Sequence, residues 1–371
     1  MREACIPRRA RVAAIALATL IPAAAASPAV HAGAGAAARP RPPAIYVARS
    51  GSDAAAGTRR RPLRTLQAAV ARAAPGTTIL VRGGTYPERT YATRSGTAGA
   101  PIVVRPLGDA HPVVTGPLTV DASHVVVRGL VFVGRIAANP DGVLVSIEGD
   151  DVTLIRNELR DASMSGVIVG DSGRVKIESN WIHDNGTHVL NGIPQDHGIY
   201  LAESSGSLIA NNIIDHNLGF GIQLYPHAAG TLVTCNTIVA NGRTAGAGAS
   251  GIIIGGAGTR DNRVVNNIVA WNGEAGVRSL QPLGLDNAVF MNLGFADSVG
   301  DFPALLSSGL LVHDNVTAPP RFVSPRLRDY RLRASSPALG RALAAFAPVS
   351  DFNGWHRFGK RGPDLGALQR R

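Results

Sequence analysis

Ile177-Glu178-Ser179-Asn180-Trp181-Ile182 is followed by Ile209-Ala210-Asn211-Asn212-Ile213-Ile214, by Val233-Thr234-Cys235-Asn236-Thr237-Ile238 and by Val264-Val265-Asn266-Asn267-Ile268-Val269. Each is an aliphatic run closed by Asn and another aliphatic. Leu154-Ile155-Arg156-Asn157 precedes them, and Val289-Phe290-Met291-Asn292-Leu293 is a weaker last copy. The Asn positions 157, 180, 212, 236, 267 and 292 are separated by 23, 32, 24, 31 and 25 residues. A near-fixed period of this size marks a solenoid, whose units bury apolar surface against their neighbours. A second short run follows a glycine in each copy, as in Gly166-Val167-Ile168-Val169, Gly198-Ile199-Tyr200-Leu201, Gly221-Ile222-Gln223-Leu224, Gly251-Ile252-Ile253-Ile254 and Gly276-Val277-Arg278. Strands this short and β-branched, with no helical periodicity between them, predict coils of parallel strand stacked on one another. The repeated Asn is expected to take the left-handed bend within each coil and to hydrogen-bond along the stack. A second column is expected at Asn185, Asn217, Asn241 and Asn272.

This is the pattern of an all-β, right-handed parallel β-helix, and the chain resembles the pectate-lyase-like superfamily of secreted β-helix proteins. The block 45–88 is similar to the start of many such proteins, calcium-dependent pectate lyases included. Within it Leu63, Leu66, Ala69, Val70 and Ala73 form one apolar face, which predicts an amphipathic α-helix over 63–74. Such a helix can cover the open apolar end of the first coil. Early coils are expected through 102–133, with Gly129 in the place of the ladder Asn. The β-helix is expected over 44–333, and 334–371 resembles the C-terminal extension that covers the last coil in secreted β-helix proteins.

The first 32 residues read as an export signal. Four arginines at positions 2, 8, 9 and 11 precede an apolar run at 12–21, and Val30-His31-Ala32 offers a small-residue cleavage site. Residues 33–43, rich in Ala, Gly, Pro and Arg, read as a linker. The expectation is a secreted monomer with no membrane attachment after cleavage. The net charge of +11 is unevenly spread. Residues 106–320 carry 10 basic and 20 acidic side chains, whereas 321–371 carry 11 and 3. The arginines are scattered over the ends and no nucleic-acid-binding motif accompanies them, so nucleic acid is not expected as a partner; a polysaccharide is.

Two copies are lengthened, at 186–197 and 242–250, and five of the ten histidines fall between positions 183 and 227. In the resembled superfamily the substrate lies along the outer face of one sheet between long loops. Strand alternation then aligns Ile168, Tyr200, Gln223, Ile253 and Arg278 outward. For elimination at a uronate, His197 is the candidate base, Tyr200 the acid and Arg278 the carboxylate partner or an alternative base. Asp196, Glu203, Gln223, Tyr225 and His227 are candidate substrate contacts. The resembled lyases use Lys or Arg as base with Asp-bound calcium, but this chain has only Lys176 and Lys360 and lacks their Asp-rich motif. Asp161, Asp184 and Asp215, expected to stack in successive coils, are the candidate ligands for a divalent cation such as calcium. The expected function is a polysaccharide lyase or related uronate-modifying enzyme. A non-catalytic glycan-binding or structural surface protein is the alternative, and a glycoside hydrolase using Asp196, Glu203 or Asp215 is the second.

Overall fold

The computed structural model describes residues 43–134, 142–244, 247–303, 309–359 and 361–371. The expected export signal and most of the expected linker therefore lie outside the described residues. Three long parallel sheets wind around one apolar core. The first has eleven strands, from Ala44–Val47 to Leu310–His313. The second has ten, from Gly84–Tyr86 to Val316–Thr317, and the third has eight, from Thr90–Ala92 to Val277–Leu283. Between the two ends, each coil contributes one short strand to each sheet. Alternation turns Leu154, Ile177, Ile209, Val233 and Val264 inward from the first sheet and Leu159, Ile182, Ile214, Ile238 and Val269 inward from the second, all buried. None of the helices is long and apolar enough to cross a membrane among the described residues.

The bend between the first two sheets differs from expectation by one residue. The left-handed conformation belongs to Arg156, Ser179, Asn211, Cys235, Asn266 and Met291, with φ between 53° and 62°. The ladder Asn comes next, and its side chain stitches the coils. Asn180 donates from N and Nδ2 to Asn212 Oδ1 at 2.9 and 3.1 Å, and from Nδ2 to Leu154 O at 2.8 Å. The same bonds repeat through Asn236, Asn267 and Asn292 to Asn315. Gly129 (φ 69°) accordingly takes the left-handed position, and Leu130 replaces the Asn, its N–H donating to Asn157 Oδ1. The second column runs Asn185, Asn217, Asn241, Asn272 and ends on Asp297. It explains the glycines that lead the third sheet's strands. A Cβ on Gly198 or Gly221 would stand 2.9 or 3.0 Å from the Nδ2 of Asn217 or Asn241.

The capping helix is shorter than the apolar spacing implied, Leu66–Arg72, because Leu63 is drawn into a bridge with Val47. Thr65 caps it, Oγ1 accepting from Ala68 N–H. Leu66, Ala69 and Val70 then close the core beside Val120 and Val125.

The C-terminal extension corrects the sequence reading. The coils end at Thr317, and Phe322–Ser324 pairs antiparallel with Asp329–Leu332. From there the chain runs back along the barrel instead of over the last coil. Leu343 O, Phe346 O and Ser350 O accept in turn from Asn266, Thr234 and Asn211, so the strap climbs toward earlier coils as its numbering rises. Phe322, Tyr330, Leu332, Leu365 and Ala367 cover the outward Ile213, Val239, Ile268 and Leu293, forming a second apolar cluster. Arg357, fully buried, donates to Asn211 Oδ1, Asp364 O and Gly366 O.

Candidate active site

Parallel register in the third sheet aligns Ser146, Ile168, Tyr200, Gln223, Ile253 and Arg278 in one outward row, as alternation predicted from Ile168 on. Neighbours are about 4.8 Å apart, the usual strand spacing, so Tyr200 and Arg278 are roughly 14 Å apart along the stack. They cannot serve one sugar residue together. The two lengthened copies fold into short antiparallel hairpins, Val189–Leu190 with Ile193–Pro194 and Arg243–Thr244 with Ala247–Gly248, whose neighbouring strands touch. The first presents exposed Val189, Leu190 and Ile193.

His197 sits just before the Tyr200 strand, 4% exposed. Its ring stacks on Phe220 at 5.0 Å and meets Tyr200 edge-on at 5.7 Å. Nδ1 accepts the Phe220 backbone N–H at 3.1 Å. Burial, opposed by the Asp196 charge and the Gln223 side chain, lowers its pKa to about 4. The ring is therefore neutral, with its proton on Nε2. Gln223 is near enough to act on the ring's protonation, but its buried Oε1 makes no hydrogen bond among the described residues. An imidazole whose one lone pair is already taken has none left for a substrate proton. The Phe220 N–H thus occupies the nitrogen that the base role expected for His197 would need.

At the far end of the same strands, His227 Nδ1 meets Glu203 Oε1 at 2.7 Å, with both side chains about half exposed. The carboxylate fixes the proton on Nδ1 and leaves Nε2 with a lone pair. Tyr225 lies in the same turn and is exposed. The phenol of Tyr200 is pushed up by burial and by the neighbouring Tyr225 and Glu203, so it stays protonated. His188 Nδ1 forms a similar pair with buried Asp196 Oδ2 at 3.0 Å in the hairpin. Arg278 is bound to Glu274, which also accepts from Ser250 Oγ at 3.1 Å.

The three aspartates expected to hold a cation do not share a column. Register places Arg160, His183 and Asp215 opposite one another, so Asp161 and Asp184 stack with His216. Asp215 is fully buried, accepting from Trp181 Nε1 at 2.7 Å and from Tyr330 OH at 2.9 Å. Asp184 is held by both Arg328 terminal nitrogens at 2.7 Å, which keeps its carboxyl at about 2 despite the opposing burial. Donors thus occupy the oxygens a divalent cation would need, and no group of three His, Cys, Asp or Glu is arranged to hold one among the described residues. The hydrolase pair fares no better. Asp215 lies under the strap, and Asp196 and Glu203 flank opposite ends of the 199–201 strand.

A family model described as the Pel9A-like right-handed β-helix region matches residues 45–279. The chain is 26% identical over 205 residues to the uncharacterized protein YwoF of Bacillus subtilis (strain 168), covering 48% of this chain and 43% of that one. It is 44% identical over 87 residues to pectate lyase PEL9 of Emericella nidulans, covering 21% of each. The chain spans less than half the length of these relatives. Among solved structures it is similar to pectate lyase Pel9A, with a TM-score of 0.63 and 17% identity, over 88% of this chain and 96% of that one. The alginate lyase of Paenibacillus sp. str. FPU-7 gives a TM-score of 0.56 and 21% identity, over 68% and 92%. At such identities the structural likeness shows the fold alone.

Proposed function

Because the chain belongs to the Pel9A-like right-handed β-helix family, we propose that it is a secreted enzyme cleaving an acidic polysaccharide by β-elimination on the outer face of the third sheet. His227 Nε2 takes the proton at C5 of a uronate, Tyr200 gives its phenolic proton to the leaving oxygen at C4, and the C5–H electron pair becomes the C4–C5 double bond. Glu203 is a positioning residue acting through His227. The Gln223 NH2 group, one strand from Tyr200, donates to the uronate carboxylate. Arg278 meets a carboxylate farther along the polymer. The observation supporting this reading is the aligned Tyr200–Gln223 row with the Glu203–His227 pair at its edge. Two hairpins stand at the other edge of the sheet.

The test is a panel of pectate, alginate, hyaluronan and neutral glycans, followed both by ultraviolet absorbance of the new double bond and by reducing ends. Absorbance with pectate or alginate, lost in Tyr200→Phe and His227→Gln but kept in His188→Gln, is the expected result. Reducing ends without absorbance would replace elimination with hydrolysis. Silence on every polymer would overturn the enzymatic reading.

A further inference from the structure

A second concave site lies away from this face, where the strap crosses the barrel wall. It is a cavity of about 340 Å3 lined by Trp271, Val239, Arg243, Arg326, Pro325 and His216, among others. That volume falls in the usual range for small-ligand sites. The β-helix supplies the indole: Trp271 occupies a left-handed bend (φ 56°) and is fixed edgewise against Phe295 at 5.8 Å. The first hairpin residue after the Asn241 bend supplies Arg243, and the short 3₁₀ turn Pro325–Leu327 of the strap supplies Arg326. Both arginines are exposed, and neither guanidinium has a hydrogen-bond or ion-pair partner among the described residues. His216 Nδ1 is held by buried Asp215 Oδ2 at 2.9 Å, so its Nε2 is free to accept a hydroxyl proton. The arginines elsewhere on this wall are spent: Arg328 on Asp184 and Arg160 on Asp161 and Glu158. Two uncommitted guanidiniums thus flank an indole, one from the acidic coils of 106–320 and one from the basic strap.

We propose that this cavity binds one uronate unit of an acidic saccharide, away from the catalytic face. A pyranose presents an apolar face of C–H groups to an indole, a carboxylate matches guanidinium forks, and a ring hydroxyl can donate to imidazole. The choice of a uronate over other carboxylates rests on the lyase reading; the donor set itself does not. Such a site would hold the polymer beside the coils of 106–320, where acidic side chains outnumber basic ones two to one.

The experiment uses the full chain carrying Tyr200→Phe and Gln223→Ala, which silences the catalytic face. Trimers of galacturonate and of mannuronate are titrated against it by tryptophan fluorescence and calorimetry, with a neutral galactose trimer beside them. The expected result is saturable quenching by a uronate trimer, absent in Trp271→Phe, with affinity at least tenfold weaker in the Arg243→Gln/Arg326→Gln double variant. Since both arginines are exposed, that variant keeps the parent melting temperature. Absence of binding by both uronate trimers, affinity unchanged in the double variant, or equal binding of the neutral trimer would each overturn the site. The two readings fail separately: binding here without elimination by the unmodified chain sinks only the lyase, and elimination without binding here sinks only this site.

Discussion

Tyr330 OH donates to Asp215 Oδ2 at 2.9 Å across 115 residues of sequence. Asp215 is fully buried, so its charge depends on this donor, on Trp181 Nε1 and on Arg328 Nε at 3.4 Å. Burial and the Asp215 charge together push the Tyr330 phenol far above its ordinary range, so it remains a donor at every physiological pH. The strap is therefore part of the barrel's polar satisfaction as well as its apolar cover. Tyr330→Phe keeps the packing and removes one donor from a buried carboxylate. It is expected to cost about 1–3 kcal/mol, read as an earlier urea midpoint at unchanged slope.

The Asn ladder makes a graded prediction. Asn212 accepts from Asn180 N and Nδ2 and donates to Ile177 O and Asn236 Oδ1, all buried. Asn212→Ala strands those groups in the core, where each unmade bond costs about 1–3 kcal/mol. Asn315 ends the column and is part-exposed, so water can replace it. Melting scans should show a large loss for Asn212→Ala and a small one for Asn315→Ala; equal losses would refute the ladder's energetic role.

Those ladders were legible because a local period repeats them: side-chain class, spacing and glycine all recur with each coil. The outward row was legible for the same reason, since parallel register preserves alternation from coil to coil. What the period could not show was anything joining distant segments. The strap has no repeat, and its anchors pair Arg328 with Asp184, Tyr330 with Asp215 and Arg357 with Asn211, separated by 144, 115 and 146 residues. Without it Asp184 and Asp215 read as open carboxylates suited to a cation. The one-residue offset between Asp184 and Asp215 was legible in the second Asn column, since they stand one and two residues before Asn185 and Asn217. The Glu203–His227 pair had a signal in the histidine clustering, but nothing in sequence shows which imidazole nitrogen remains free.

Asp297 replaces Asn at the end of the second column and is expected to be a built-in weakness. Burial, outweighing its hydrogen bonds to Asn272, and the adjacent Asp301 raise its pKa to about 7. An unfolded carboxyl titrates near 3.8. Between those values the folded state binds more protons, so stability falls as pH rises from about 4 to about 7. Asp297→Asn keeps the oxygen that accepts from Asn272 and removes the ionisation. Its melting temperature should exceed the parent's at pH 8, by on the order of 2–4 °C for each kcal/mol gained, with the gap narrowing toward pH 4. A gap independent of pH would exclude the ionisation as its source.

His197 offers the sharpest test of the proposed chemistry. If it acts only through the neighbouring Gln223, the two residues form one unit, and removing both should harm turnover no more than removing Gln223. His197→Phe keeps the ring stacked between Tyr200 and Phe220 while deleting both nitrogens. Gln223→Ala deletes the carboxylate donor. Each single variant is expected to lower kcat/KM by about 10–100-fold, the loss of one charge-assisted hydrogen bond of about 1.5–3 kcal/mol. The double variant should match Gln223→Ala within a few tenths of a kcal/mol. If His197 were the base, the losses would multiply, and the double variant would fall far below either single one. His227→Gln should behave in the opposite way to His197→Phe, its loss combining multiplicatively with Gln223→Ala, because the proton acceptor and the carboxylate donor touch different atoms of the sugar.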